Sequence, residues 1–400
     1  MPDLPPKISI LTATTLFPNA LQPAHGIFVE TRLRRLLSDG KVRAHVLAPV
    51  PWVPPGLPNP DLQKLRRIAD REQRNGIEAD HPRYLVLPKI GMNIAPHTLY
   101  RAMRRRFMRL LDAGLKVDLI DAHYFYPDGV AAAWLGEEFH LPVVITARGT
   151  DINLIPQYAR PRRLILEAAR SAGALITVCQ ALKDRLVELG APSSKITVLR
   201  NGVDLQTFHM QDRNALRSRH GVSGFVLASV GLLIERKGHY LAIEAIRHVP
   251  DATLLIVGSG PDRQQLESLS ARLGVKDRVR FLGNLDQKSL CEIYNCADAL
   301  VLASSREGWA NVLLESMACG TPVLGSAVWG TPEVIACPEA GLLLENRDAK
   351  SIVAGIARLR QLPPDRAATR RYAEQFDWQA TTDGQVALFR SVIERHRASR

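Results

Sequence analysis

The chain has no apolar run approaching the roughly 18–20 residues that a membrane-spanning helix needs. Aromatic residues are scarce, at 6%. That scarcity weighs against a protein that stacks nucleobases on exposed rings, and no RNA-binding motif appears. The five cysteines, Cys179, Cys291, Cys296, Cys319 and Cys337, are odd in number and lack metal-ligand spacing. Most lie in apolar context, so reduced thiols are expected rather than a disulfide framework or a zinc site. There is no H-E-x-x-H helix, no nucleophile elbow with a Ser-His-Asp order, and no D-x-D placed as a sugar-nucleotide metal clamp. No tightly bound catalytic metal and no cofactor is therefore expected. The start, "MPDLPPKISILTATTLFP", lacks the basic region of a secretory signal. A cytoplasmic protein is expected.

Positive charge, in contrast, is abundant. The 400 residues carry a net charge of +12, which suits nucleic acid, an anionic membrane or a phosphorylated substrate. The arginines cluster. "YRAMRRRFMRLLD" sets Arg101, Arg104, Arg105, Arg106 and Arg109 among Ala102, Met103, Phe107, Met108, Leu110 and Leu111. As a helix this segment has the composition of an interfacial amphipathic element, and equally of a solvated face. Peripheral contact with anionic membrane through Arg101–Arg109 is one expectation.

Short apolar runs alternate with helical stretches, which signals parallel α/β architecture. The first series is "KISILTA", "VRAHVLAPV", "VDLIDAH", "PVVITA", "ALITV" and "ITVL". The second is "GFVLASVG", "ATLLIVGSG", "VRFLGNL", "ALVLAS" and "TPVLGS". Between the series, "RNGVDLQTFHMQDRNALRSRHGV" has no long apolar run, and Asn201-Gly202 reads as a turn. Two doubly wound domains follow, each long enough for its own core. Open α/β sheets bind ligands beyond the carboxyl ends of their strands, where the distinctive residues fall.

"SREGWANVLLESMACGTPV" is the most informative stretch. It places Glu307 and Glu315 eight positions apart around a short helix, Val312 to Cys319, with Asn311 as N-cap and Gly320 as left-handed terminator. A carboxylate on so apolar a helix is costly unless something hydrogen-bonds to it, and a helix start attracts phosphate. "VGLLIERKGHYLAIEAI" sets Arg236 and Lys237 just after a strand that ends near Gly231. Two such cations can neutralise a diphosphate leaving group. "LLIVGSGPDRQQLESL", with Gly258, permits close backbone approach to a ligand but is neither G-x-G-x-x-G nor Walker A. In the first half, Gly26 sits at a loop-to-helix junction where backbone could meet phosphate or an acceptor. His123 ends a strand and could transfer a proton or polarise a hydroxyl. Arg148 could bind an anion, and Asp151 could cap a turn.

Together, "REGWANVLLESMACGTPV" resembles the E-x7-E signature of retaining glycosyltransferase family 4, in the GT-B superfamily. "ERKG", "VGSGP", "RNGVD" and "FDWQATTDGQVALF" are similar to further landmarks of that family, in the usual order and over nearly the whole chain. The resemblance implies two Rossmann-like domains facing across a cleft. Residues 1–200 would bind the acceptor, 201–374 the nucleotide-sugar donor, and a helix within 375–400 would return to the first domain. It implies that Glu315 binds ribose hydroxyls and that Glu307 contacts the donor sugar. Arg236 and Lys237 would hold the diphosphate, and Gly26 would lie beside it. Gly308 and the backbone of Trp309, Ala310 and Asn311 would approach sugar and phosphate, with Gly231 and Gly258 also on the donor side. His123 would stand near the reacting carbon, with Arg148, Asp151 and Asn201 on the acceptor or cleft side.

The implied activity is retaining transfer of a sugar to a glycan or lipid-linked acceptor in cell-surface polysaccharide or glycolipid synthesis. Two departures are visible: Arg148 stands where many relatives have histidine, and Trp309-Ala310 replaces the common Phe-Gly. The rival readings are a sugar-nucleotide epimerase of the same architecture and a non-catalytic nucleic-acid binder.

Overall fold

The computed structural model describes residues 7–54, 60–86 and 91–400. The proline-rich start, residues 1–6, lies outside them. The chain divides into two compact units, residues 1–199 with 380–400, and residues 200–379.

Among the described residues, the first unit holds strands β1 (Ile8–Ala13), β2 (Val42–Leu47), β3 (Val50–Trp52), β4 (Arg71–Arg74), β5 (Ile77–Asp80), β6 (Arg83–Leu85), β7 (Leu119–His123), β8 (Val143–Ala147), β9 (Ala174–Thr177) and β10 (Ile196–Val198). Its helices are α1 (Ile27–Ser38), α2 (Pro60–Leu65), α3 (Gly91–Asp112), α4 (Val130–Phe139), α5 (Thr150–Asn153), α6 (Ala159–Ser171) and α7 (Gln180–Leu189). Eight strands form one sheet in the order β10-β9-β8-β7-β1-β2-β5-β4, and β3 pairs with β6 apart from it. All neighbours in the large sheet are parallel except β4 and β5. Parallel strands covered on both faces need continuous apolar sequence, and β1, β7 and β8 are buried along their whole length.

The pair β4–β5 carries no apolar run, so sequence periodicity passes over it. It is a hairpin closed by Asn75-Gly76, both with positive φ (48° and 79°), as a two-residue primed turn requires. Asn201-Gly202, read from sequence as a turn, is not one. A Cβ on Gly202 would sit 2.6 Å from the Asp377 carbonyl carbon, and Val203 N–H donates to the Phe376 carbonyl at 2.8 Å. There the glycine allows two backbone segments to pack.

The second unit holds α8 (Arg213–His220), β11 (Phe225–Val230), α9 (His239–Ile246), β12 (Ala252–Val257), α10 (Arg263–Arg272), β13 (Val279–Gly283), α11 (Gln287–Cys296), β14 (Ala299–Leu302), α12 (Asn311–Ala318), β15 (Val323–Ser326), α13 (Thr331–Val334), β16 (Gly341–Leu344), α14 (Ala349–Gln361) and α15 (Arg366–Glu374). Its sheet runs β13-β12-β11-β14-β15-β16, all parallel. The order reverses direction beside β11, so the loops after β11 and β14 open at the topological switch point.

The last helix, α16 (Trp378–Ala398), begins in the second unit and belongs to the first from Ala380 onward. Its Val386, Phe389, Val392 and Ile393 join the first-unit core with Ile10, Val29, Leu33, Val144 and Ile176. The cysteines are free thiols, with the Cys291 and Cys319 sulfurs 3.6 Å apart. No described helix is long and apolar enough to cross a membrane.

Candidate active site

In the second unit, three strand-end loops converge. The segment Glu235–Lys237 forms a single 3-10 turn after β11, followed by Gly238 and then α9. The pair Arg236-Lys237 thus precedes the helix rather than opening it. The Lys237 ammonium donates to Glu307 Oε1 at 2.6 Å, and Ser304 Oγ donates to the same oxygen at 2.6 Å. Arg236 donates from Nη1 to the Arg306 carbonyl at 2.6 Å and lies 3.9 Å from Glu307 Oε1. Ser305 N–H closes the cluster on the Arg236 carbonyl at 2.9 Å.

Glu307 is 8% exposed. Its burial is offset by the close ion pair to Lys237, a longer one to Arg236 and the Ser304 hydroxyl, as a buried charge requires. The carboxylate therefore fixes Lys237 as well as offering its second oxygen. The glycine loops pack on each other: Gly258 has φ 137°, and a Cβ there would overlap the Gly231 carbonyl oxygen. The close approach inferred from sequence is first of all backbone to backbone.

Helix α12 starts at Asn311, one residue earlier than the sequence reading. Ala310 is the N-cap and no side chain caps the helix. Asn311 Oδ1 instead accepts from Asn201 Nδ2 at 3.3 Å. Trp309 is buried, its indole N–H donating to the Asn201 carbonyl at 3.0 Å, with Arg200 5.9 Å over its ring. Trp309 and Asn201 thus tie the helix start to the 200–203 segment. Gly308 lies between Glu307 and that anchor. Gly320, with φ 73°, terminates the helix as expected.

Glu315 projects from this apolar helix, and Tyr294 answers for its cost. The fully buried Tyr294 hydroxyl donates to Glu315 Oε2 at 2.9 Å. Burial pushes the Glu315 carboxyl up to about 7 against the pull of that bond. Tyr294 was not singled out from the sequence, because an aromatic residue in the helical run "QKSLCEIYNC" reads as core.

In the first unit the sequence-predicted residues meet around β7 and β8. His123 is 1% exposed, not at an open rim. Its Nε2 lies 3.1 Å from Asp121 Oδ2, and Arg148 Nη2 lies 2.6 Å from its Nδ1. A guanidinium only donates, so Nδ1 accepts and Nε2 carries the hydrogen. Burial lowers the His123 pKa, with Asp121 opposing. In this geometry the imidazole is neutral and both its nitrogens are engaged. Asp121 was missed, although strand alternation puts it on the same face as His123.

Asp151 is fully buried and accepts from the backbone of Phe125 (2.7 Å), Arg148 (3.1 Å) and Gly149 (2.7 Å). It ties the loops after β7 and β8 together. Gly26, with φ 66°, precedes α1, and a Cβ there would overlap the Leu16 carbonyl. Packing of the β1 loop already demands glycine there. A second buried carboxylate, Asp128, accepts from Thr15 N–H and Thr15 Oγ1, and burial pushes it up to about 7.

The description "Glycosyl transferases group 1" matches residues 212–376, and "Glycosyltransferase Family 4" matches residues 27–207. The chain is 28% identical over 361 residues to the teichuronic acid biosynthesis glycosyltransferase TuaC of Bacillus subtilis, described there as putative, covering 88% of this chain and 89% of that protein. It is 32% identical over 311 residues to D-inositol 3-phosphate glycosyltransferase of Geodermatophilus obscurus, covering 70% of this chain and 68% of that one. HepE of Anabaena, solved in complex with UDP and glucose, shares the fold with a TM-score of 0.73 and 19% identity, over 96% of this chain and 100% of that chain. The chain belongs to glycosyltransferase family 4 and is a nucleotide-sugar glycosyltransferase of the retaining, GT-B type.

Proposed function

We propose that the second unit binds the donor and that the cluster of Arg236, Lys237 and Glu307 does the electrostatic part of the transfer. The observation that carries this reading is the convergence of two cations and one carboxylate on the loops after β11 and β14. As the sugar–phosphate bond breaks, negative charge grows on the diphosphate, and preorganised cations stabilise it without moving. Glu315 accepts ribose hydroxyls through the oxygen that Tyr294 does not use. Glu307 fixes Lys237 and turns its second oxygen to the donor sugar. In the family's front-side mechanism the departing diphosphate takes the acceptor's proton. No buried His123 nitrogen is needed for that step.

The donor base is proposed to be uracil, since HepE was solved with UDP. The acceptor is proposed to be a glycan or lipid-linked glycan of the cell surface, since TuaC is named for teichuronic acid synthesis. Catalysis is proposed to need no divalent metal, because in this reading Arg236 and Lys237 would supply the positive charge beside the diphosphate. The test is slow hydrolysis of UDP-, GDP- and ADP-sugars in excess EDTA, followed by NMR of the released sugar. The expected product appears first in the anomeric form of the donor. Inverted sugar would overturn retention. Full loss of activity in EDTA, restored by magnesium, would overturn the metal-free account. Conversion of intact donor into its epimer would favour the epimerase.

Membrane contact is proposed for α3. Arg106 is tied to the buried Asp80, and Arg104 donates to Glu138 at 2.6 Å. Arg101, Arg105, Met108 and Arg109 form the exposed face. Trp52, Leu85, Val86 and Met92 are also exposed large apolar residues, on or beside β3, β6 and the start of α3. Each basic residue near an anionic surface is worth about 1 kcal/mol. Replacing Arg101, Arg105 and Arg109 by alanine is expected to weaken flotation with anionic liposomes by about 100-fold, each 1.4 kcal/mol being tenfold. Equal recovery of the wild-type chain on neutral and anionic vesicles would contradict this.

A further inference from the structure

Helices α11 and α12 meet at two places one turn apart. At the first, Tyr294 of α11 donates to Glu315 of α12 at 2.9 Å. At the second, Cys291 of α11 and Cys319, which caps the C-terminus of α12, hold their sulfurs 3.6 Å apart as free thiols. Cys291 lies one turn before Tyr294 and Cys319 one turn after Glu315, so each pair shares a helix face. The Cys319 end of α12 is held from α15. Arg366 Nη2 donates to the Cys319 carbonyl at 2.9 Å, and Arg370 Nη1 to the Ala318 carbonyl at 2.7 Å.

The two thiols are not equivalent. Gln211 Nε2 and Asn295 Nδ2 each lie 3.6 Å from Cys291 Sγ as donors, and donors of this kind favour a thiolate. The neighbouring Cys319 thiol holds Cys291 below the ordinary thiol range against burial, whereas burial pushes Cys319 up. Cys291 is 1% exposed, but its cover is thin. Gln211, laid on its sulfur, is half-buried, and His209 beside it is exposed. A stabilised thiolate under such a cover, with a second thiol in contact, is the arrangement of an oxidant-responsive pair.

We propose that Cys291 and Cys319 form a reversible oxidation site for hydroperoxides, and that closing it lowers nucleotide affinity at Glu315. The Cys291 sulfur attacks one oxygen of hydrogen peroxide and the O–O bond breaks. The sulfur is oxidised to a sulfenic acid, and the released hydroxide takes up a proton and leaves as water. Cys319 then attacks the Cys291 sulfur. The S–S bond forms, the S–O bond breaks, and the Cys319 proton leaves with the hydroxyl as a second water. The sulfurs close from 3.6 Å to about 2.05 Å. That draws α11 against α12 one turn from the Tyr294–Glu315 bond and re-aims the carboxylate. The second half of the proposal rests on the reading of Glu315 as the ribose acceptor; the first half does not.

The test treats the reduced full chain with stoichiometric hydrogen peroxide, quenches with N-ethylmaleimide and maps the unreduced peptides. The expected product links the Cys291 and Cys319 peptides before the more exposed Cys337 reacts, and dithiothreitol reverses it. Exposure alone predicts the opposite order. Cys319→Ser should stop at a Cys291 sulfenic acid that dimedone traps. Oxidation of Cys337 first, or recovery of both Cys291 and Cys319 as alkylated thiols, would overturn the site.

The oxidised chain is expected to bind UDP about 10-fold more weakly than the reduced chain, roughly the loss of one charged hydrogen bond, with recovery in dithiothreitol. Peroxide-treated Cys291→Ser should bind UDP as the reduced wild type does. Linked cysteines with unchanged or tighter UDP binding would overturn the second half. Failure of the reduced chain to bind UDP, with the disulfide still formed, would overturn the donor reading and leave the oxidation site supported.

Discussion

Arg236→Ala is expected to lower kcat by about 100- to 1000-fold, the usual effect of removing one preorganised donor to developing charge, with a much smaller change in the KM for donor. The reason lies in the geometry. Arg236 bonds to the Arg306 carbonyl and stands 3.9 Å from Glu307, close enough to feel its charge but not neutralised by contact. Its stabilising effect grows as the diphosphate leaves, so it acts mainly in the transition state. Lys237 differs, because its 2.6 Å bond to Glu307 is structural as well as electrostatic. Lys237→Ala removes a cation and also strands a nearly buried carboxylate, so its effects on rate and stability are not separable. Arg236→Ala is the cleaner variant. A kcat within threefold of wild type would remove Arg236 from the charge-stabilising role.

Glu315→Gln is expected to make the protein more stable and a poorer binder of nucleotide. The folded-state carboxyl titrates at about 7, above its ordinary 4.5. The fold therefore favours the protonated form. Glu315 costs nothing below about pH 4.5, and its cost grows as pH rises toward 7 and then levels off. At pH 8 that cost is about 3–4 kcal/mol, at about 1.4 kcal/mol per pH unit. Glutamine removes the charge and keeps an oxygen for the Tyr294 hydroxyl. Its melting temperature at pH 8 is expected to exceed wild type by roughly 5 °C, with the gap closing near pH 4.5.

UDP affinity at pH 8 is expected to fall by about 10- to 100-fold, because the ribose hydroxyls lose a charged acceptor. The wild type's own affinity should decline below pH 7 as Glu315 takes up its proton. Scanning calorimetry across pH, paired with UDP titration, checks both halves. A variant less stable than wild type at pH 8 would mean that the carboxylate is favourable in the folded state, contrary to the burial argument.

The sequence disclosed this protein unevenly, for physical reasons. Buried parallel strands must be apolar on both faces, so β1, β7, β8, β11, β12 and β14 stood out as runs. The β4–β5 hairpin at the sheet edge is half-exposed and charged, and only Asn75-Gly76 betrays it. Glu307 and Glu315 were legible because a carboxylate in an apolar stretch needs explanation. Their supports were not. Ser304 is a common residue whose contact with Glu307 comes from the turn after β14. Tyr294 reaches Glu315 from a different helix. His123 was visible as a histidine at a strand end, but its burial and its bond to Arg148 depend on β8 lying beside β7. Sequence spacing holds no record of which strands become neighbours.

The central claim is that the loops after β11, β12 and β14, with α12, bind the nucleotide part of the donor without metal. Hydrogen–deuterium exchange of the full chain, with and without UDP held near the wild-type Kd, in EDTA, tests it most directly. The account predicts slowed exchange at residues 231–238, 258–263 and 304–318, lost in Glu315→Gln at the same UDP concentration. Protection confined to other segments, or the same protection in Glu315→Gln, would contradict it.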